Sequence, residues 1–161
     1  NYYMPMRVLD DASKSGDFPW TKDAPPVSDV RTDIGWEVYS PGLKHVVEDL
    51  NKRYELPDCY ITENGACYNM GVVNGEVDDQ PRLDYYIEHL GVVADLIKDG
   101  YPMRGYFAWS LMDNFEWAEG YRMRFGLVHV DYETQVRTIK KSGKWYRELA
   151  SQFPKGNHKG D

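Results

Sequence analysis

Apolar positions along this chain alternate between two rhythms. From Pro41 they recur at helical spacing, with Leu43, Val46, Val47, Leu50 and Tyr54 at i, i+3, i+4, i+7 and i+11. That spacing predicts an amphipathic helix. Leu56-Pro57 ends it, because a proline pushes the residue before it out of the helical region. Asp58 to Thr62 then reads as a short strand, and residues 64–79 as a loop rich in Gly and Asn. Asp79 and Pro81 announce a second helix with Leu83, Tyr86, Ile87, Leu90, Val93 and Ile97 on one face, closed by Gly100. Gly105 to Leu111 is almost continuously apolar, the pattern of a parallel strand covered on both faces. Phe125 to Val130 and Val136 to Ile139 read as hairpin arms around Tyr132-Glu133-Thr134, and a last helix is expected from about Thr138 to Gln152. Asn1-Tyr2-Tyr3 reads as the end of a strand stopped by Met4-Pro5. Residues 10–35 read as a long polar loop, of a kind that tends to be functional in ordered domains, and the tail from Pro154 as mobile.

Strand, helix, strand, helix, strand, helix is the grammar of parallel βαβ units, and both inter-strand connections are long enough to hold a crossover helix. Three such apolar strands would leave two parallel edges open, so the pattern reads as part of a sheet. A small three-stranded α/β domain with its own covering helices is the alternative.

Composition narrows the function classes. The chain has 161 residues, enough for one ordinary domain and too few for two. Hydrophobic residues make up 42%, which argues against disorder. A formal net charge of −7 disfavours nucleic acid and anionic membrane, both of which need clustered Lys and Arg. A neutral or cationic ligand is expected instead. No apolar stretch reaches the length of a transmembrane helix and no leader-like segment opens the sequence, so secretion is not expected. Cys59 and Cys67 have no zinc-type spacing, and His45, His89, His129 and His158 are scattered. No metal and no cofactor are therefore expected, and free thiols in a reducing compartment imply a cytoplasmic location. The 13 Tyr and 5 Trp exceed what a small core needs and suit a flat, hydrogen-bonding surface such as a sugar site.

Glu63 ends the run Tyr60-Ile61-Thr62 and precedes the turn pair Asn64-Gly65. A carboxylate there sits at the C-terminal rim of a strand, where α/β sheets build active sites. A solvated strand end is the plain alternative. A second carboxylate, Glu116, lies just beyond the strand at Gly105 to Leu111 and between two indoles, Trp109 and Trp117. A pyranose offers an apolar face that stacks on an indole and hydroxyls that donate to a carboxylate. Either tryptophan taken singly also reads as core.

Taken together, NYY at the start, GWEVYSPGL from Gly35, YITENG from Tyr60 and WSLMDNFEWAEGYRMRFGLVHVD from Trp109 resemble, in the same order, motifs of glycoside hydrolase family 1, the β-glucosidase family. TIKKSGKWY, from Thr138, resembles that family's C-terminal helix. The resemblance implies an α/β fold in which residues 1–161 are the C-terminal portion, about the last three βα units, of a (β/α)8 TIM barrel. It also implies retaining hydrolysis of β-glycosides. On this match Glu63 is the nucleophile and Tyr3 the tyrosine that hydrogen-bonds and orients it. Asn1 is a neighbouring site asparagine, and Trp36 packs on the leaving group. Trp109 lies under the sugar, Glu116 accepts its distal hydroxyls, Trp117 donates an indole N–H, and Phe125 lines the pocket. Retention needs two carboxyl groups about 5–5.5 Å apart, one attacking C1 and one protonating the leaving oxygen. A tyrosine hydroxyl donating to Glu63 favours its charged form and holds the attacking oxygen in place.

The family's acid/base lies in an Asn-Glu-Pro motif, and no such tripeptide occurs here. The resemblance thus implies that the chain begins in the sixth strand, that its partner is the N-terminal portion of the same enzyme, and that the chain alone is inactive. A branch of the family that takes 6-phosphorylated sugars replaces the Glu-Trp pair, whereas Glu116 here would repel a phosphate dianion. Unphosphorylated glycosides are therefore expected, glucosides first. The alternatives are a catalytically inactive fragment and a non-catalytic sugar-binding module, which would keep Trp109, Glu116 and Trp117 but has no use for Glu63 beside a tyrosine.

Overall fold

The computed structural model describes residues 1–14, 20–21 and 24–153. The tail expected to be mobile, and part of the long polar loop, lie outside them. Within that loop Leu9–Asp10 (β1) and Trp20–Thr21 (β2) form a short antiparallel pair, and Arg31 bridges Glu37, so the segment is not wholly irregular. Asn1 to Tyr3 does not form the expected strand. A single ladder-like bond, from the Tyr2 N–H to the Glu63 carbonyl at 3.1 Å, ties it to the sheet.

Helix α1 spans Pro41–Arg53, with a proline in its first turn, where its missing N–H costs nothing, and Lys52 and Arg53 in its last turn, facing the negative end of the helix dipole. Only part of its expected face is buried. Leu43 and Val47 join the core, while Val46, Leu50 and Tyr54 stay exposed, because the helix finds its helical neighbour, α2 (Gln80–Lys98), on one side only.

Strand β3 is Cys59–Asn64, shifted toward its C-terminus relative to the reading from sequence, so Glu63 lies within the strand and not just past it. It pairs in parallel with β4, Met103–Ala108. The α2 connection between the two is the expected crossover. Gly105 is required there, since a Cβ would come within 2.7 Å of the Tyr60 ring across the pair.

The inner face of α2 is rotated from the apolar stripe. Arg82, Tyr85 and His89 turn inward beside Leu83, Tyr86, Val93 and Leu96, whereas Ile87 and Ile97 face out. The tips of Arg82 and Tyr85 tolerate burial because they are bonded, whereas His89 is bonded only through Nδ1, to the Tyr85 carbonyl. Arg82 donates to the carbonyls of Ala66, Tyr68 and Arg124 and pairs with Asp79, which in turn accepts from the Ser142 hydroxyl. Asp79 therefore acts as a buried anchor and makes no side-chain cap.

Trp109 to Leu111 leaves the β4 ladder earlier than expected but stays bonded on both sides. The Trp109 N–H donates to the Asn64 carbonyl at 2.8 Å, and the Leu127 N–H donates to Ser110 at 2.8 Å. The peptide between Trp109 and Ser110 is cis. The hairpin is present but shorter, as β5 (Val128–Val130) and β6 (Arg137–Ile139). Because Thr138 and Ile139 pair with His129 and Val128, the last helix, α3, starts later and runs Lys141–Ser151.

The described residues thus form an open α/β piece with helices packed on a parallel pair, and no closed barrel. One apolar cluster lies between α1, α2 and β3, a second between α2 and α3, and a third, around Phe125, lies under the C-terminal rim of β3. No helix among the described residues is long and apolar enough to cross a membrane.

Candidate active site

The parallel ladder delivers Glu63 to the rim, half-buried, with the buried Asn64, Gly65, Ala66 and Cys67 behind it. The Tyr3 hydroxyl donates to Glu63 Oε2 at 3.0 Å. Burial and this bond raise the Tyr3 phenol well above its ordinary range, so it stays protonated and able to donate. Its ring stands edge-on to Trp36, with centroids 5.6 Å apart, and to Phe125 at 6.3 Å. Trp36 and Phe125 are themselves 5.8 Å apart. Trp109 packs against the same cluster, which closes beneath with Cys67 and Met123. Burial pushes the Cys67 thiol up to about 11, so it behaves as an apolar filler.

Partial burial raises the Glu116 carboxyl above the usual range. The Trp109 side chain opposes that rise, and the charges of Glu119 and Glu63 add to it. A turn holds Glu116 in place: its N–H donates to the Gly120 carbonyl at 2.7 Å, and Trp117–Glu119 forms one 3-10 turn.

Six of the residues singled out from sequence are therefore brought together: Tyr3, Trp36, Glu63, Trp109, Glu116 and Phe125. Two stand apart. Trp117 is 82% exposed at the outer edge of its turn. Asn1 is exposed and accepts from the Thr62 hydroxyl at 2.6 Å, next to Glu63 but not on it. Phe125 is only 2% exposed, so it backs the aromatic wall and offers little open surface. Two hollows lie elsewhere among the described residues. One of about 450 Å³ is lined by Phe115, Tyr121 and Tyr132 on the far side of the 113–121 loop, and one of about 470 Å³ opens between α2 and α3. Glu63 borders neither.

Other supporting residues escape a reading of motifs. Asn64 is fully buried; its amide donates to the Tyr2 carbonyl at 2.6 Å and to the Tyr85 hydroxyl at 2.8 Å, and it accepts from the Tyr106 hydroxyl. Asp113 is held by Lys140 at 2.7 Å and Arg124 at 2.7 Å, and it accepts from the Gly126 N–H at 3.0 Å. Burial raises its carboxyl, but the two cations outweigh burial and hold it below the usual carboxylate range. This network fixes the segment after Trp109 against the one carrying Phe125. Among the described residues no group of His, Cys, Asp and Glu is arranged to hold a metal.

The model of the family described as Glycosyl hydrolase family 1 matches residues 1–154. Among curated proteins, a β-glucosidase of Agrobacterium sp. is 78% identical over 98% of this chain and 34% of its own length. A 6-phospho-β-galactosidase of Streptococcus equi subsp. zooepidemicus is 46% identical over 75% of this chain and 26% of its own length. Among solved structures, the virulence factor SghA from Agrobacterium tumefaciens superposes with a TM-score of 0.91 at 82% identity, covering 96% of this chain and 34% of that one. The same factor has been solved with its substrate analogue salicin. The chain spans about a third of the length of these relatives.

Proposed function

The chain belongs to glycosyl hydrolase family 1, and on that premise we propose that it supplies the nucleophile and much of the sugar-binding surface of a retaining β-glucosidase-type hydrolase. The observation that carries this reading is the Tyr3 hydroxyl held 3.0 Å from Glu63 Oε2, within the same aromatic cluster as Trp109. A sugar-binding module gains nothing from a phenol aimed at that carboxylate; a nucleophile gains a fixed oxygen and a stabilised charge.

The reaction proceeds in two displacements. A Glu63 carboxylate oxygen attacks the anomeric carbon as the bond to the leaving oxygen breaks, and a protonated carboxylic acid gives that oxygen its proton. Water, deprotonated by the same acid/base, then attacks the anomeric carbon of the glycosyl-Glu63 ester and releases the sugar with its configuration retained. The acid/base belongs to the upstream βα units of the barrel, since no Asn-Glu-Pro tripeptide occurs in these 161 residues. Trp109 carries the apolar face of the sugar, Glu116 accepts from its distal hydroxyls, Trp117 donates its indole N–H and Trp36 flanks the leaving group. Asn1 anchors the rim through Thr62. Unphosphorylated glucosides fit best. Although a 6-phospho-specific relative is 46% identical, the Glu116 carboxylate opposes a phosphate dianion at that end of the sugar. Free Cys59 and Cys67 fit a cytoplasmic setting.

The test is turnover of a chromogenic β-glucoside by this chain alone and joined to the upstream units of a family relative. Activity is expected only in the joined form and is lost in its Glu63→Gln variant. Turnover by this chain alone, or retention of activity by Glu63→Gln, would refute the reading.

A further inference from the structure

Beneath the rim, α2 places two adjacent tyrosines whose hydroxyls reach different parts of the site. Tyr85 is 2% exposed and Tyr86 is 0% exposed. Burial raises both phenols well above their ordinary range, so each keeps its proton and donates. The Tyr85 hydroxyl donates to the Tyr3 carbonyl at 3.3 Å and accepts from the Asn64 amide at 2.8 Å. The same Asn64 amide holds the Tyr2 carbonyl at 2.6 Å. Between them, Tyr85 and Asn64 grip the backbone of two successive residues, the second of which aims its hydroxyl at Glu63. The Tyr86 hydroxyl donates instead to the Trp109 carbonyl at 3.1 Å. Gly65 makes that approach possible, because a Cβ there would collide with the Trp109 carbonyl oxygen and crowd the Tyr86 hydroxyl.

We propose that Tyr85 and Tyr86 are positioning residues that divide the site between them, Tyr85 setting the nucleophile half through Tyr3 and Tyr86 setting the sugar platform through Trp109. The inference rests on the roles assigned above to Glu63 and Trp109. Neither hydroxyl touches substrate. Each acts by holding a backbone carbonyl, of the residue that orients the nucleophile in one case and of the residue under the sugar in the other. Their environments explain why both are tyrosines. The Tyr85 ring stacks on His89 at 3.9 Å, and Tyr86 stands edge-on to Tyr85 at 5.9 Å, so both rings are locked and the hydroxyls have little freedom to swing.

Because Phe keeps the ring and removes only the hydroxyl, Tyr85→Phe and Tyr86→Phe are matched variants, each the other's control. In the complete barrel formed with the upstream units, kcat on a chromogenic β-glucoside and the affinity of a neutral glucose-shaped inhibitor by calorimetry separate the two roles. Tyr85→Phe is expected to lower kcat about tenfold, the scale of one hydrogen bond that holds a reacting group, while leaving inhibitor affinity within about twofold. Tyr86→Phe is expected to weaken the inhibitor about tenfold with a smaller effect on kcat. Should Tyr85→Phe melt before assay, Tyr106→Phe, which frees the Asn64 carbonyl oxygen, is expected to reproduce its selective loss of kcat. Equal effects on both quantities in both variants, or none in either, overturn the division. An inactive parent barrel would instead count against the proposed function.

Discussion

At the scale of single residues, the site depends on side chains whose neighbours decide what they can do. Partial burial raises the Glu116 carboxyl, and as a carboxylate it accepts hydrogen bonds from the hydroxyls of a neutral ligand. Glu116→Ser is expected to lower kcat/KM on an unphosphorylated glucoside by roughly 10- to 100-fold, the scale of a lost hydrogen bond to a charged group; an unchanged value would remove Glu116 from the sugar site. His89 makes a second residue-level prediction. Burial lowers its imidazole to about 4 from 6.5, and its Nε2 has no partner. Below pH 6.5 the unfolded chain takes up a proton that the folded chain refuses, so stability falls as pH drops from 6.5 toward 4. The full contribution is on the order of 3 kcal/mol. Urea titrations across that range should show the slope, and His89→Phe should flatten it. That Glu63, Tyr3 and Trp109 come together was legible in sequence because each lies in an unbroken motif. Asn64, Tyr85 and Asp113 were not, because their partners come from distant segments and their polar groups face inward, where a hydrophobic pattern records only a turn, a core ring or a loop acid.

At the scale of elements, the helices followed from periodicity and the strand ends did not. α1 and α2 begin and end close to their proline and glycine signals. β4 stops at Ala108 although the apolar run continues to Leu111, because Ser110 and Leu111 exchange their β3-side neighbour for the chain at Leu127 and Val128. The start of α3 was displaced because Thr138 and Ile139, which the sequence offers both to a hairpin arm and to the helix, go to the hairpin. Asp113 locks these pieces together. Lys140, fully buried, stands just before α3, and Arg124 precedes Phe125. Asp113→Ala would leave the Lys140 ammonium uncompensated, at a cost of about 3–5 kcal/mol. A urea midpoint within about 1 kcal/mol of the parent would show that the pair carries no such weight. The Asp113 carboxyl is held below its ordinary value, so its stabilisation is present above the usual carboxylate range and fades as pH falls through the lowered value.

At the scale of the whole molecule, the βα grammar and the family were legible; the described residues form an open α/β piece without a closed barrel, and the chain spans about a third of the length of its Agrobacterium relatives. Tyr60, Phe107 and Leu111 are 54%, 58% and 67% exposed on or beside the parallel pair, an apolar surface suited to the upstream units proposed above. The chain alone is expected to associate with itself as concentration rises and to become a single species with the upstream units, which sedimentation velocity distinguishes. A concentration-independent monomer would show that this surface needs no partner. The role of Glu63 as nucleophile is open to covalent trapping. The complete barrel is treated with an activated 2-deoxy-2-fluoro-β-glucoside, digested and mapped by mass spectrometry. One fluoroglucosyl group is expected on the peptide containing Glu63; a label on Glu116 or on a carboxylate of the upstream units, with Glu63 unmodified, would show that Glu63 is not the nucleophile.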